Sequence, residues 1–204
     1  MTKQPDEWPH YSLGSREHLH AVGVLVAAWN MVESTLQAFI QSVFPQAAAS
    51  ITVFEILGND GRIKLIRNEL RKTLHEDEYS LLNHFLVSVD ICKENRNVIV
   101  HASYSPQQSS ELMQLTKGRT PDHSAVKLIP LSIPAIREIA DATFNTATFG
   151  FNLWASIQLR RSQPLIGGAA FSLPLPKKPV LPRKWDRILA APTLDPTQPR
   201  SSRE

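Results

Sequence analysis

Arg96, Asn97 and His101 lie within one short stretch, Glu94-Asn95-Arg96-Asn97-Val98-Ile99-Val100-His101. Histidine titrates near neutral pH and suits a general base. Arginine is always charged, and its planar fork grips a phosphate through two parallel hydrogen bonds. Asn97 precedes His101 by four residues, about one helical turn, so it can orient the imidazole or hold a phosphate oxygen. Glu94 can balance charge or tune the histidine. These residue types suit proton transfer beside a phosphate.

Their setting is an amphipathic helix. With Phe85 as the origin and about 100° per residue, Val89, Cys92 and Ile99 fall within about 40° of it. Arg96 falls at about 20°, inside that apolar stripe. A second stripe, Asp90, Glu94, Asn97 and His101, recurs at spacings of four, three and four, well round the helix from the first. A lone guanidinium out of water costs several kcal/mol or more, so Arg96 is expected to have a partner or to line a cleft.

Other elements of the chain must position this helix. Ser15 caps a helix running to about Phe44, with Leu25, Trp29, Val32, Leu36, Phe39 and Val43 alternating at spacings of four and three. Residues 51–57 are short and apolar, one or two helical turns. Asn59-Asp60-Gly61 is a turn, with Asp60 expected to cap the next helix. That helix carries Ile63, Ile66, Leu70 and Leu74 as an apolar stripe beside a basic one, Lys64, Arg67 and Arg71. Glu76, Asp77 and Glu78 favour a helix start through the dipole, and this helix runs to about His101. Ser-Pro-Gln-Gln-Ser-Ser reads as a loop, and Leu112–Thr116 with Ala125–Leu131 as a hairpin. Ser132 caps a last helix to about Leu159, with Pro134 in its first turn.

From Arg160 the pattern collapses. Eight of the fifteen prolines fall in residues 160–204. That segment carries nine Lys/Arg against three Asp/Glu, whereas residues 1–159 carry thirteen against sixteen. The body is mildly acidic and the tail basic, so the net charge of +3 is no sign that the folded part binds nucleic acid. The expected class is all-α: a bundle of three to four long helices with a small β-hairpin insertion and a disordered tail. The divisions are a flexible lead at 1–14, a helical domain at 15–159 and a Pro-rich basic tail at 160–204. A short helical piece is expected around Trp185–Ala190.

One cysteine rules out an internal disulfide and any Cys-rich zinc site. The N-terminus lacks the apolar core of a secretory signal, no run of about 18 apolar residues occurs, and a cytosolic location is the simplest expectation. No Walker A, dinucleotide-binding glycine turn or Gly-x-Ser-x-Gly elbow appears.

The stretch Arg96-Asn97-Val98-Ile99-Val100-His101 resembles the Arg-x4–6-His signature of the HEPN superfamily, in which a polar residue, often Asn, follows the arginine. A long first helix with an internal Glu, and a motif near the end of a late helix, are similar to that fold over residues 15–159. A subgroup carries His-x-Tyr, whereas here Tyr104 comes one residue later. The resemblance implies a homodimeric, metal-independent endoribonuclease with a composite cleft, needing no cofactor. Arg96, His101, Asn97 and Glu94 would be its catalytic residues, and 2′,3′-cyclic phosphate ends its product. A toxin or defence effector, with RNA as substrate and a protein partner such as an antitoxin, fits that class.

Plainer roles compete. Arg96 pairs with a core carboxylate, for which Glu33 is the candidate, and His101 merely caps the helix end. The protein is then a non-catalytic helical dimerisation or interaction module. Lys64, Arg67 and Arg71 either track an RNA backbone or form a solvated face that Glu69 interrupts. Cys92 reads as an inert core residue, and His18 and His20 share no helix face that would bind a metal. In the tail, two overlapping Pro-x-x-Pro frames suit polyproline II, either for an aromatic-lined groove or as a plain basic linker.

Overall fold

The computed structural model of the protein describes residues 15–100, 103–106, 112–117, 127–166 and 174–190. Its body is an all-helical bundle: α1 Arg16–Val43, α2 Ala47–Ile56, α3 Asn59–Arg71, α4 Glu76–Val100 and α5 Ile133–Ile166, followed by the short α6 Trp185–Ala190.

Local chemistry sets the ends of these helices. The Ser15 hydroxyl accepts from the His18 N–H, capping α1 as expected. Glu78 reaches back to accept from the His75 N–H at 3.2 Å, one half of a capping box at the start of α4. The Ala135 N–H donates to Ser132 Oγ at 3.3 Å, the predicted cap of α5. Asp60 does not cap α3. That helix begins at Asn59 with Gly58 ahead of it, so Asp60 lies in the first turn.

Parallel to each other and adjacent, α1 and α5 hold α4 in the groove between them. Trp29, Val32, Leu36 and Phe39 of α1 meet Leu82, Phe85, Val89 and Cys92 of α4 and Leu153 and Ile157 of α5 in the main core. The predicted α4 stripe is interior: Phe85, Val89, Cys92 and Ile99 are each 0% exposed. A second, smaller cluster gathers Ala21, Leu25, Val98, Ile99, Ile136 and Ile188 around the end of α4. Gly150 lets α5 approach α4 closely, because a Cβ there would collide with the Phe85 ring.

Three further expectations need correction. Between α4 and α5 the chain does not form the expected two-stranded hairpin. It carries three short strands, β1 Ser103–Pro106, β2 Leu112–Lys117 and β3 Lys127–Ser132, antiparallel in the order β1-β2-β3. The first of them overlaps the Ser-Pro stretch read as loop. Next, α5 runs on past Leu159 to Ile166. Arg160 reaches Asp77 and Glu78 at 3.7 Å each, and Arg161 donates to Thr73 Oγ1 at 3.0 Å, so these arginines belong to the bundle.

The third correction concerns the tail. Residues 174–190 are not disordered but lie as an extended strap across the body, ending in the predicted short helix at Trp185–Ala190. Leu175 packs on the main core and Ile188 is buried in the small one. Pro176, Pro179 and Pro182 recur every third residue, the period of a polyproline II helix, and all three face a cavity of about 530 Å³ against α5. The prolines therefore stiffen a segment that docks within its own chain.

Candidate functional site

The last turns of α4 carry the residues singled out in the sequence. Glu94 and Asn97 are exposed, Arg96 is half-buried, and Asn95 is buried between them. His101 lies outside the described residues. Arg96 keeps its stem and its Nε away from solvent, while its terminal nitrogen reaches Asn97 Oδ1 at 3.2 Å. The guanidinium is thus not sealed among the stripe residues: the long side chain carries its head outward. Asn97 meets Arg96 rather than standing clear of it.

Glu33, the carboxylate expected to neutralise Arg96 in the core, is engaged elsewhere. Arg62 of α3 takes it at 3.4 Å. Arg62 also donates twice to the Phe54 carbonyl, at 3.0 and 2.7 Å, and stacks over the Phe54 ring. It is a staple joining α1, α2 and α3, so Glu33 does form a structural ion pair, but with Arg62.

Glu94 pairs with Lys184 of the strap at 3.1 Å, with both side chains about half exposed. Beside it, Asn95 Nδ2 donates to the Arg183 carbonyl at 2.9 Å and Asn95 Oδ1 accepts from the Trp185 N–H at 2.8 Å. Arg183 in turn forms a two-pronged pair with Glu138 of α5. The strap therefore passes alongside the motif. Asn95, Arg183, Lys184 and Trp185 were not singled out from the sequence. The period of three in the prolines and the apolar Trp185–Ile188 spacing were the available signs.

The basic stripe of α3 starts near this end of α4. Asp60, in the first turn of α3, binds Lys93, one turn before Arg96 and Asn97. That hydrogen bond, reinforced by the lysine's charge, holds the Asp60 carboxyl below its ordinary value. Burial works against charging Lys93, but its hydrogen bonds to Asp60 and Asp90 win, and its pKa is raised. Lys64 is exposed and follows one turn on. Arg67 is half-buried, with its Nε shut off from solvent. Arg71 lies over the Tyr79 ring near the start of α4, about 25 Å along the helix from Arg96. Of the neighbours, Lys72 is paired with Glu69 and Arg62 is in the staple, so the exposed cations of the stripe are Lys64 and Arg71.

Cys92 is fully buried and its Sγ lies 3.5 Å from Thr146 Oγ1. Burial pushes its thiol up, keeping it protonated and unreactive. His18 is buried at the start of α1 against Ser15, and His20 is exposed. Among the described residues, no group of three or more His, Cys, Asp or Glu side chains is placed to hold a metal ion.

No family model, curated protein or solved structure matches the chain.

Proposed function

We propose that the end of α4 carries a metal-independent endoribonuclease site of the HEPN type, in a toxin or defence effector. The observation that carries this reading is the placement of Arg96. Its Nε is shut off from solvent while the head of the side chain emerges beside Asn97. A cation so placed at the end of the helix, five residues before a histidine, suits a phosphate.

In this reading His101 takes the proton of an RNA 2′-hydroxyl. The 2′-oxygen attacks the adjacent phosphorus, and the bond to the 5′-oxygen breaks. The leaving oxygen acquires a proton, and the 3′ fragment's upstream neighbour ends in a 2′,3′-cyclic phosphate. Arg96 stabilises the charged phosphorane, with Asn97 fixing its fork. Glu94, shared with Lys184, sets the local charge balance. Lys64 and Arg71 offer a track for the flanking backbone.

Cleavage of a labelled single-stranded RNA in EDTA tests this, with the 3′ ends of the products assayed for cyclic phosphate. Arg96→Ala and His101→Ala should each remove it while leaving the circular dichroism unchanged.

The grip of Asn95 on Arg183 and Trp185 favours a second reading, in which the end of α4 is an anchorage for the strap in a non-catalytic module. Arg96→Ala would then lower the melting temperature, and no RNA would be cut by the wild type.

A further inference from the structure

One face of α5 is turned towards the strap. Glu138, Ala142, Asn145, Phe149 and Asn152 recur at spacings of four and three, so they lie along one side of the helix, and all five line the cavity of about 530 Å³ between α5 and the strap. Opposite them Pro176, Pro179 and Pro182 edge the same space at their period of three. A helix and a polyproline segment thus form the two walls of a groove. From Glu138 to Asn152 it is about 21 Å long, room for about six residues of extended chain.

One end and the floor of this groove are satisfied within the chain. Arg183 neutralises Glu138 through its two-pronged pair. Phe149 is only 6% exposed and meets the His84 ring edge-on. The amides of Asn145 and Asn152 differ. Both line the groove and are exposed, and neither has a hydrogen-bond partner among the described residues. They stand about 10 Å apart along the helix, close to the three-residue repeat of a polyproline-like chain, about 9 Å. Asn95 shows what such an amide does with an extended backbone: its two halves take a carbonyl and an N–H of the strap itself.

We infer that the groove between α5 and the strap binds an extended acidic peptide of a partner protein, with Asn145 and Asn152 holding its backbone and Lys177 a carboxylate. This goes beyond the ribonuclease reading and does not depend on it.

Charge and shape select this occupant. Lys177 lines the groove, is exposed, and has no ion-pair partner among the described residues. The strap carries no acidic residue from Pro174 to Trp185, and residues 142–159 of α5 carry no charge at all. A single-stranded nucleic acid suits the groove less well. It needs several cations for its phosphates and open rings on which bases stack, and the ring that lines the groove, Phe149, is buried. A proline-recognising domain finds no grip on the docked strap. Its proline row faces α5, and the row beside it faces α4, where Lys178 donates to Ser80 and Lys184 pairs with Glu94.

Peptides of about ten residues, long enough to span the groove, test this. They are selected on the full chain from a random display library, then made as fluorescent synthetic peptides and titrated by anisotropy. The enriched sequences should be rich in Asp and Glu and compete for one site. Asn145→Ala/Asn152→Ala should weaken their binding by about tenfold or more, the scale of two lost hydrogen bonds. Lys177→Glu should weaken it too, whereas Lys177→Arg should keep it. The melting temperature should not move in any of these variants, because the three side chains are exposed. No enriched peptide, or peptides that bind the double variant as tightly as the wild type, overturns the proposal. A labelled single-stranded RNA bound through Asn145 and Asn152 in place of any peptide overturns it as well, and assigns the groove to nucleic acid.

Discussion

Asn95 and Trp185, ninety residues apart in sequence, are joined by a 2.8 Å hydrogen bond from the Trp185 N–H to the Asn95 side-chain oxygen. The other half of the same amide donates to the carbonyl of Arg183. One buried side chain thus satisfies a donor and an acceptor of the strap backbone, much as another strand would. Its neighbours Glu94 and Arg96 are two of the residues of the proposed ribonuclease site, so the strap and that proposed site share one helical turn.

Replacing Asn95 by Ala strands both backbone groups and is expected to cost about 1–3 kcal/mol. Urea unfolding measures the loss. Tryptic cleavage after Arg183 and Lys184 should accelerate in the variant, because both bonds lie in the segment that Asn95 holds. Removing residues 174–204 should lower the melting temperature as well, since Leu175 and Ile188 leave two cores uncovered.

Gly150→Ala tests the close contact of α4 with α5. Alanine is the better helix former by about 1 kcal/mol, yet its methyl group meets the Phe85 ring. The clash should dominate and destabilise the protein by about 1–3 kcal/mol, the usual range for overpacking. Trimming the ring in Gly150→Ala/Phe85→Leu should restore part of that loss. Thermal melts of the two variants give the comparison.

Cys92 should resist alkylation by iodoacetamide in the native protein and react at once in denaturant, since burial keeps the thiol protonated. The rate measured without denaturant then reports opening of the α4–α5 contact, and Asn95→Ala should raise it only if strap release loosens that contact.

The Asp60–Lys93 bond predicts a pH dependence of fixed sign. The folded protein holds the Asp60 carboxyl below its ordinary value, so the bond's stabilisation is fully present above the ordinary carboxylate range, about 4. It is lost as pH falls through the lowered value. Asp60→Asn should therefore melt below the wild type at pH 7, with the difference closing in strong acid and shrinking in high salt, because Asp60 is largely exposed.

Helix periodicity made most of the bundle legible. The α1 rows and the α4 stripe follow from spacing alone, because burying one face is what makes these helices stable. The caps at Ser15 and Ser132 were legible for the same reason: a hydroxyl ahead of an apolar run satisfies free N–H groups. The strap was not. Low apolar content and many prolines read as disorder, yet a polyproline segment loses little entropy on docking, and Leu175, Trp185 and Ile188 suffice to anchor it. Partner choice was equally hidden. Glu33 faces Arg62 rather than Arg96 because α3, not the end of α4, passes beside it, and helical spacing says nothing of which helix lies opposite. Asn95 lay between the two stripes of α4, and its partners are backbone groups that no residue-type pattern records.

The most direct test of the ribonuclease assignment is cleavage of a labelled RNA in EDTA by the wild type, Arg96→Ala and His101→Ala, with the melting temperature of each measured in parallel. The account predicts cyclic-phosphate products from the wild type and at least a hundredfold slower cleavage by each variant, the scale of a lost general base or phosphate-binding cation, with folding retained. Undiminished cleavage by either folded variant, or none by the wild type, would contradict it.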